Sequence, residues 1–122
     1  MQHELTQDQS STLYSSTFDE HYHSKHGAIQ ESCHVFIKNG LDRCSKRDIS
    51  VFEMGFGTGL NAYLTYLNHS SKRLYYETIE LFPVSDCLIQ ELNFSKQLSD
   101  ASDVFQKFHL VSWGQEHQLN SL

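Results

Sequence analysis

Ile49-Ser50-Val51-Phe52-Glu53-Met54-Gly55-Phe56-Gly57-Thr58-Gly59-Leu60-Asn61 decides how this chain folds. The run ISVFEM is β-branched and aromatic and stops abruptly at Gly55, which suits a buried strand. Three glycines at alternate positions then remove the Cβ atoms that would hold a ligand off the backbone, and they permit positive φ in a tight turn. Leu60, Leu64 and Leu67 follow on one helical face with Tyr63 beside them, and the pattern fades at Asn68-His69-Ser70. Outward from this unit, a second strand is expected from Leu74 to Glu80, ending before Phe82-Pro83. A helix is expected to begin near Ser85-Asp86, residues suited to capping its open N–H groups, and to turn Leu88, Ile89 and Leu92 inward. Ser102 and Asp103 start a further short helix around Val104, Phe105 and Phe108. Strand, helix, strand, helix in this order predicts an α/β fold with a parallel sheet and right-handed crossovers.

The glycine loop also limits what can sit against it. Dinucleotide folds need G-x-G-x-x-G, whose last glycine lets helix and strand pack closely, and here that position is Leu60. The Gly-Lys-Ser/Thr end of a phosphate-binding NTPase loop is missing too. A nucleoside with a compact cationic tail therefore fits better than a polyphosphate. Such a ligand asks for an acid at the end of the next strand, where a carboxylate can accept both ribose hydroxyls. Glu80 stands there, 21 residues after Gly59. Glu77 competes but falls in mid-strand, so Glu80 is favoured. Glu53 has two readings: it orients the loop or the ligand's amino group, or it partners neighbouring backbone N–H groups.

The 122 residues, 39% of them apolar, suffice for one small domain. Residues 1–12 are polar with a single Leu, and nothing apolar there repays the entropy of ordering them, so a disordered tail is expected. The domain would then span 13–122. From Leu13 to Ser24, Leu13, Tyr14, Phe18 and Tyr22 recur at helix-like spacing. Between Ile29 and Ile37 a weak period-two signal suggests a strand, with Lys38-Asn39-Gly40 as a turn or helix stop. A sheet of only two strands would leave edges and faces uncovered, so the chain reads as the first half of a larger domain.

Fifteen acidic against nine basic side chains give a net charge of −6, a field that repels phosphate. Any nucleic-acid partner must use a local patch, and the basic cluster Arg43, Lys46, Arg47 reads as a solvated loop. Cys33, Cys44 and Cys87 are widely spaced and suit a reducing compartment. No run is long and apolar enough to span a bilayer, and the start lacks the pattern of a signal peptide, so an intracellular, cytoplasmic protein is expected. His21, His23, His26 and His34 with Cys33 match none of the common zinc spacings, so no metal is expected. His109 and Trp113 are read as packing or capping residues, and Tyr75 and Tyr76 as strand residues.

Glu53 followed by G-x-G-x-G resembles motif I of Rossmann-like S-adenosylmethionine-dependent methyltransferases. The resemblance narrows with Tyr14-Ser15, Phe18-Asp19-Glu20, Tyr22-His23-Ser24, Gly40-Leu41 and Glu53-Met54-Gly55-Phe56-Gly57-Thr58-Gly59-Leu60-Asn61. Glu80 with Phe82-Pro83, Leu92-Asn93, and His109 with Trp113 extend it in order. Together these segments resemble the methyltransferase domain of the tRNA 5-methylaminomethyl-2-thiouridine biosynthesis bifunctional proteins, in its N-terminal part.

The resemblance implies a Rossmann-like fold cut after about the first half of its sheet, and methyl transfer from S-adenosylmethionine to the amine of an aminomethyl group on a tRNA wobble uridine. It implies cofactor contacts from Glu53, Gly55, Gly57, Thr58, Gly59, Asn61 and Glu80, and a substrate side at Tyr14 and Ser15. It also implies a fused or separate flavin oxidase domain. The family's Asp-Ala-Phe-x-Pro motif, which would supply the catalytic carboxylate, has no counterpart in these residues, so no catalytic residue is assigned. Two other readings stand beside this one: a fragment of an NAD-dependent oxidoreductase, and a non-catalytic binding or assembly module that uses the uncovered sheet.

Overall fold

The computed structural model describes residues 1–23, 27–70 and 72–119. Its first three strands, β1 (Gln2–Leu5), β2 (Ser11–Ser15) and β3 (Glu20–His21), make an antiparallel sheet in the order β1-β2-β3. Then come α1 (Ala28–Ser32), a π-helical continuation (Cys33–Lys38) and a 3-10 turn (Leu41–Arg43). The expected unit follows: β4 (Asp48–Met54), α2 (Leu60–Asn68) and β5 (Arg73–Ile79). Three short helices, α3 (Asp86–Glu91), α4 (Phe94–Gln97) and α5 (Val104–Leu110), complete the described elements.

β4 and β5 pair in parallel, in register from Asp48 opposite Arg73 to Met54 opposite Ile79. Alternation along both strands turns Ile49, Val51, Leu74 and Tyr76 toward the helices. There α2 contributes Leu60, Tyr63 and Leu64, and the later helices add Ile89, Phe94, Val104 and Phe105. Burying a side chain of this size is worth about 1.5–3 kcal/mol, so these residues carry most of the fold's apolar stabilisation. Tyr63 is wholly buried, and its hydroxyl escapes the cost of burial by donating to Asp100 Oδ2 at 2.5 Å. On the opposite face Phe52, Met54, Tyr75 and Ile79 stay exposed, the uncovered sheet face anticipated from a two-stranded arrangement.

The N-terminal third departs from expectation in three places. Residues 1–12 are not a frayed tail. The turn between β1 and β2 caps α1 from outside: the N–H groups of Ala28, Ile29 and Gln30 donate to Thr6 Oγ1 (3.2 Å), Ser10 Oγ (3.2 Å) and Asp8 Oδ2 (3.0 Å). Asn93 pins the same segment, accepting from Ser11 N–H and Oγ–H at 2.7 Å each and donating to the Gln9 carbonyl at 2.9 Å. Polar satisfaction orders this stretch, and a count of apolar residues misses it.

Leu13 to Tyr22 is strand and turn where a helix-like spacing was read, with Leu13 wholly buried on β2. Ile29 to Ile37 is helical where the period-two signal suggests a strand. Ile29, Cys33 and Ile37 satisfy period two and also stand at i, i+4 and i+8, and these three meet the core while Val35 is exposed. That helix ends at Lys38 with Asn39 as its C-cap, within the expected Lys38-Asn39-Gly40 stop, and α3 and α5 begin at the expected places. Ser85 and Asp103 hold their N-cap positions without a side-chain capping bond. Among the described residues no helix is long and apolar enough to cross a membrane.

Candidate functional site

The loop from Gly55 to Gly59 lies at the carboxyl end of β4 and is tied to β5 by its own backbone. The N–H groups of Gly55 and Phe56 both donate to the Ile79 carbonyl, at 2.9 and 3.1 Å. Gly55, Gly57 and Gly59 take φ of +90°, +57° and +83°, which only glycine adopts without strain. Their surroundings differ. A Cβ at Gly55 would meet nothing within 4 Å, whereas at Gly57 it would lie 3.2 Å from the Tyr22 ring, and at Gly59 2.8 Å from the Phe56 ring and 3.1 Å from His109 Nε2. Two of the three bare positions are thus filled by the protein's own rings, and Gly55 is the one whose backbone faces open space.

Glu80 follows β5 directly and turns its carboxylate onto the loop. Oε1 accepts from Gly57 N–H at 2.6 Å and Oε2 from Phe82 N–H at 3.1 Å. Glu77 is exposed in mid-strand, near the Tyr75 hydroxyl, and takes no part.

Glu53 sits beneath the loop on the helix side of the sheet. Burial pushes its carboxyl above the usual carboxylate range; side-chain donors on Thr78, Tyr76 and Asn61 oppose this, and the nearby Glu80 charge adds to it. The Thr78 hydroxyl donates to Glu53 Oε1 at 2.9 Å. Tyr76 is pushed above its ordinary range by burial and by the Glu53 carboxylate it bonds. Among the described residues, Glu53 is therefore partnered by side chains and not by backbone N–H groups. Asn61 Oδ1 is buried and has no hydrogen-bond partner among the described residues. Tyr76 and Thr78 escaped the sequence reading, although the parallel register sets Glu53 opposite Thr78 and strand parity puts Tyr76 on the same face.

Thr58 corrects an expectation. It is wholly buried, its hydroxyl paired with His23 Nε2 at 2.7 Å and its carbonyl accepting from His109 Nε2 at 3.0 Å, so it holds the loop from behind and presents nothing to the open side. Burial drives the His23 imidazole down to about 4, keeping it neutral, and lowers His109 as well. His109 packs edge-on against Phe56 and Phe105, and Trp113 against Phe56, which makes both packing residues.

Tyr14 and Ser15 point to opposite sides of β2. Ser15 lines a groove of about 240 Å³ with Phe18, Glu20, His21, Tyr22, Glu80 and Phe82. Tyr14 bonds Asp19 and packs on His21, and it is not among the residues that line this groove. Phe18 and Phe82, both largely exposed, face each other across the groove at 6.1 Å between ring centroids. His21 pairs with Glu4 at 2.6 Å and His23 with Thr58, while Ser24 and His26 lie outside the described residues.

No family model matches the chain. It is similar to the tRNA 5-methylaminomethyl-2-thiouridine biosynthesis bifunctional protein MnmC of Marinomonas sp., 30% identical over 106 residues that make up 72% of this chain and 16% of that protein. The MnmC of Idiomarina loihiensis is 34% identical over 79% of this chain and 17% of its own length. That of Leptospira borgpetersenii is 39% identical over 61% of this chain. The crystal structure of MNMC2 from Aquifex aeolicus superimposes with a TM-score of 0.59 at 29% identity, over 70% of this chain and 30% of that one. The chain spans less than a fifth of the length of these curated relatives. A likeness that runs through most of these residues, in sequence and in fold, makes the chain a member of the MnmC family of tRNA 5-methylaminomethyl-2-thiouridine biosynthesis proteins.

Proposed function

We propose that this chain is the donor-binding part of a Rossmann-like, S-adenosylmethionine-dependent methyltransferase domain acting on the aminomethyl group of a tRNA wobble uridine. The observation that carries the reading is the Glu80 carboxylate, held at the end of β5 and hydrogen-bonded across to Gly57, beside the bare backbone of Gly55. An ionised carboxylate offers about four lone-pair sites, and Glu80 uses two of them on Gly57 and Phe82 N–H. The other two are free to accept a pair of vicinal hydroxyls, the arrangement a ribose presents. Gly55 lets the ligand approach the main chain without a Cβ between them. Among the described residues Asn61 Oδ1 is an acceptor without a partner beside the loop, and with Glu53 it suits an ammonium group.

The residues present therefore fit an adenosyl ligand with a cationic amino-acid tail. When bound, S-adenosylmethionine supplies a methyl group already activated by its sulfonium, so the protein's task is mainly alignment. Glu80 would fix the ribose end and Glu53 with Asn61 the amino end, while the groove of Ser15, Phe18, Tyr22 and Phe82 beside Glu80 offers rings to a flat acceptor base. Residues 2–12 belong to this domain, since they build the wall that carries Ser15. The names of the curated relatives support tRNA as substrate, and their word "bifunctional" supports a second activity elsewhere in the whole proteins; that this is a flavin oxidase is what the resemblance implies. A tRNA substrate places the work in the cytoplasm.

Calorimetric titration of the chain with S-adenosylmethionine and with NAD tests the proposal. Binding of the first alone is expected, and Glu80→Gln weakens it by about 1–3 kcal/mol through the loss of a charge-assisted hydrogen bond. Binding of NAD alone, or of neither, overturns the reading.

A further inference from the structure

The cations of this chain are unevenly placed. Five of its nine Lys and Arg residues, Arg43, Lys46, Arg47, Lys72 and Arg73, fall in the two segments that lead into β4 and β5. The fold fastens these segments together. Arg73 N–H donates to the Arg47 carbonyl at 2.9 Å, Lys72 Nζ donates to the Cys44 carbonyl, and Lys72 N–H returns to the His69 carbonyl at 3.0 Å. Arg43, Lys46, Arg47 and Arg73 are exposed and Lys72 is half-buried. Two acids share the rim, Asp42 and Asp48, and Asp48 stands 4.0 Å from Arg73 Nε with both side chains largely solvated, so the pair neutralises little. The rim therefore carries +3, while the rest of the chain carries −9.

We infer that this rim of Arg43, Lys46, Arg47, Lys72 and Arg73 is a docking surface for the phosphate backbone of the RNA whose nucleoside enters the crevice at the other end of the sheet. The inference rests on the proposed function for the identity of the polyanion. Among the described residues, the Lys and Arg side chains stand away from the crevice, while Glu20 and Glu80 line the groove, so phosphates are repelled there. A tRNA bound by this chain needs a cationic contact elsewhere. The rim is the complementary surface, about 20 Å away along seven strand residues, within the length of a short RNA stem. Phosphate contacts of this kind position an RNA without reading its sequence, which leaves selection of the base to the crevice.

The test is fluorescence anisotropy of the full chain with a labelled anticodon stem-loop RNA over a series of salt concentrations. The K46E/R47E double variant is compared with K96E/K107E, which changes the net charge equally away from the rim. Wild type is expected to bind with an affinity that falls steeply with salt. The rim variant should bind at least tenfold more weakly and lose about 1.5 from the slope of log K against log salt, while the control changes by less than threefold. Equal losses in the two variants, or no binding of RNA by wild type, overturn the inference. S-adenosylmethionine titration of the same samples separates it from the reading it rests on. A rim variant that keeps donor binding but loses RNA supports the inference; RNA binding with no donor binding in wild type sinks the cofactor assignment and leaves the RNA surface standing.

Discussion

Lowering the pH from 7.5 to 5 should weaken the fold through one histidine. The His23 ring is mostly buried, packs edge-on against Phe94, and pairs with the Thr58 hydroxyl, while the His23 backbone N–H donates to Thr12 Oγ1 at 3.1 Å. Among the described residues no acid reaches it, and desolvation lowers its pKa from 6.5 to about 4. A folded pKa below the unfolded one means that the unfolded chain takes up the proton first, so stability rises with pH and is lost as pH falls below about 6.5. That difference corresponds to about 2 kcal/mol lost between pH 7.5 and 5, and about 3 kcal/mol below pH 4. Urea unfolding followed by far-ultraviolet circular dichroism at both pH values measures it. His23→Gln is the reference, since it keeps a polar partner for Thr58 and cannot titrate. His109 shifts in the same direction and Glu53 in the opposite one, but both are present in each protein and cancel in the comparison. Asp8 and Asp100 have lowered pKa values, so their contributions fade only at still lower pH. Equal pH dependence in wild type and His23→Gln refutes the argument.

Asn93→Ala removes bonds to both Ser11 and Gln9 and leaves the Ser11 N–H without its acceptor; a loss of about 2–4 kcal/mol in urea-measured stability is expected, and a loss under 1 kcal/mol would mean that the N-terminal sheet is held some other way. Gly55→Ala and Gly59→Ala both place a side chain at positive φ, at a cost of about 1–2 kcal/mol each. The second also drives a Cβ into the Phe56 ring, so it should unfold at clearly lower urea, whereas the first should keep most of its stability and lose S-adenosylmethionine affinity in the calorimeter.

What could be read from the residues divides by the kind of force involved. The β4-α2-β5 unit was legible because its signals are local and apolar: a β-branched run, a glycine break, a leucine face. Glu80 was legible because a strand end is a sequence position, and its carboxylate does meet the loop. The N-terminal sheet was not, since Thr6, Asp8, Ser10 and Ser11 are ordered by helix N–H groups and by Asn93 more than 80 residues away, and no local pattern announces such partners. The inward turn of Thr58, which the resemblance makes a cofactor contact, was hidden for a similar reason. Its neighbours His23 and His109 come from distant parts of the chain, and only their arrival turns it inward.

That arrival changes how the glycine loop is understood. Left to itself, a stretch with three positive-φ glycines has many accessible conformations, and a ligand would bear the entropy of choosing one. Here the choice is made beforehand from three sides. Glu80 holds the Gly57 N–H, His23 and His109 hold Thr58 by its hydroxyl and its carbonyl, and the Tyr22 ring crowds the space a Gly57 Cβ would take. Tyr22 and His23 belong to the segment that follows β3, so the small antiparallel sheet is part of the machinery that shapes the loop. The same geometry separates two uses of glycine within five residues. Gly57 and Gly59 are bare so that the protein's own rings can close in and fix the turn, and that rigidity is what allows the open backbone at Gly55 to meet a ligand without rearrangement.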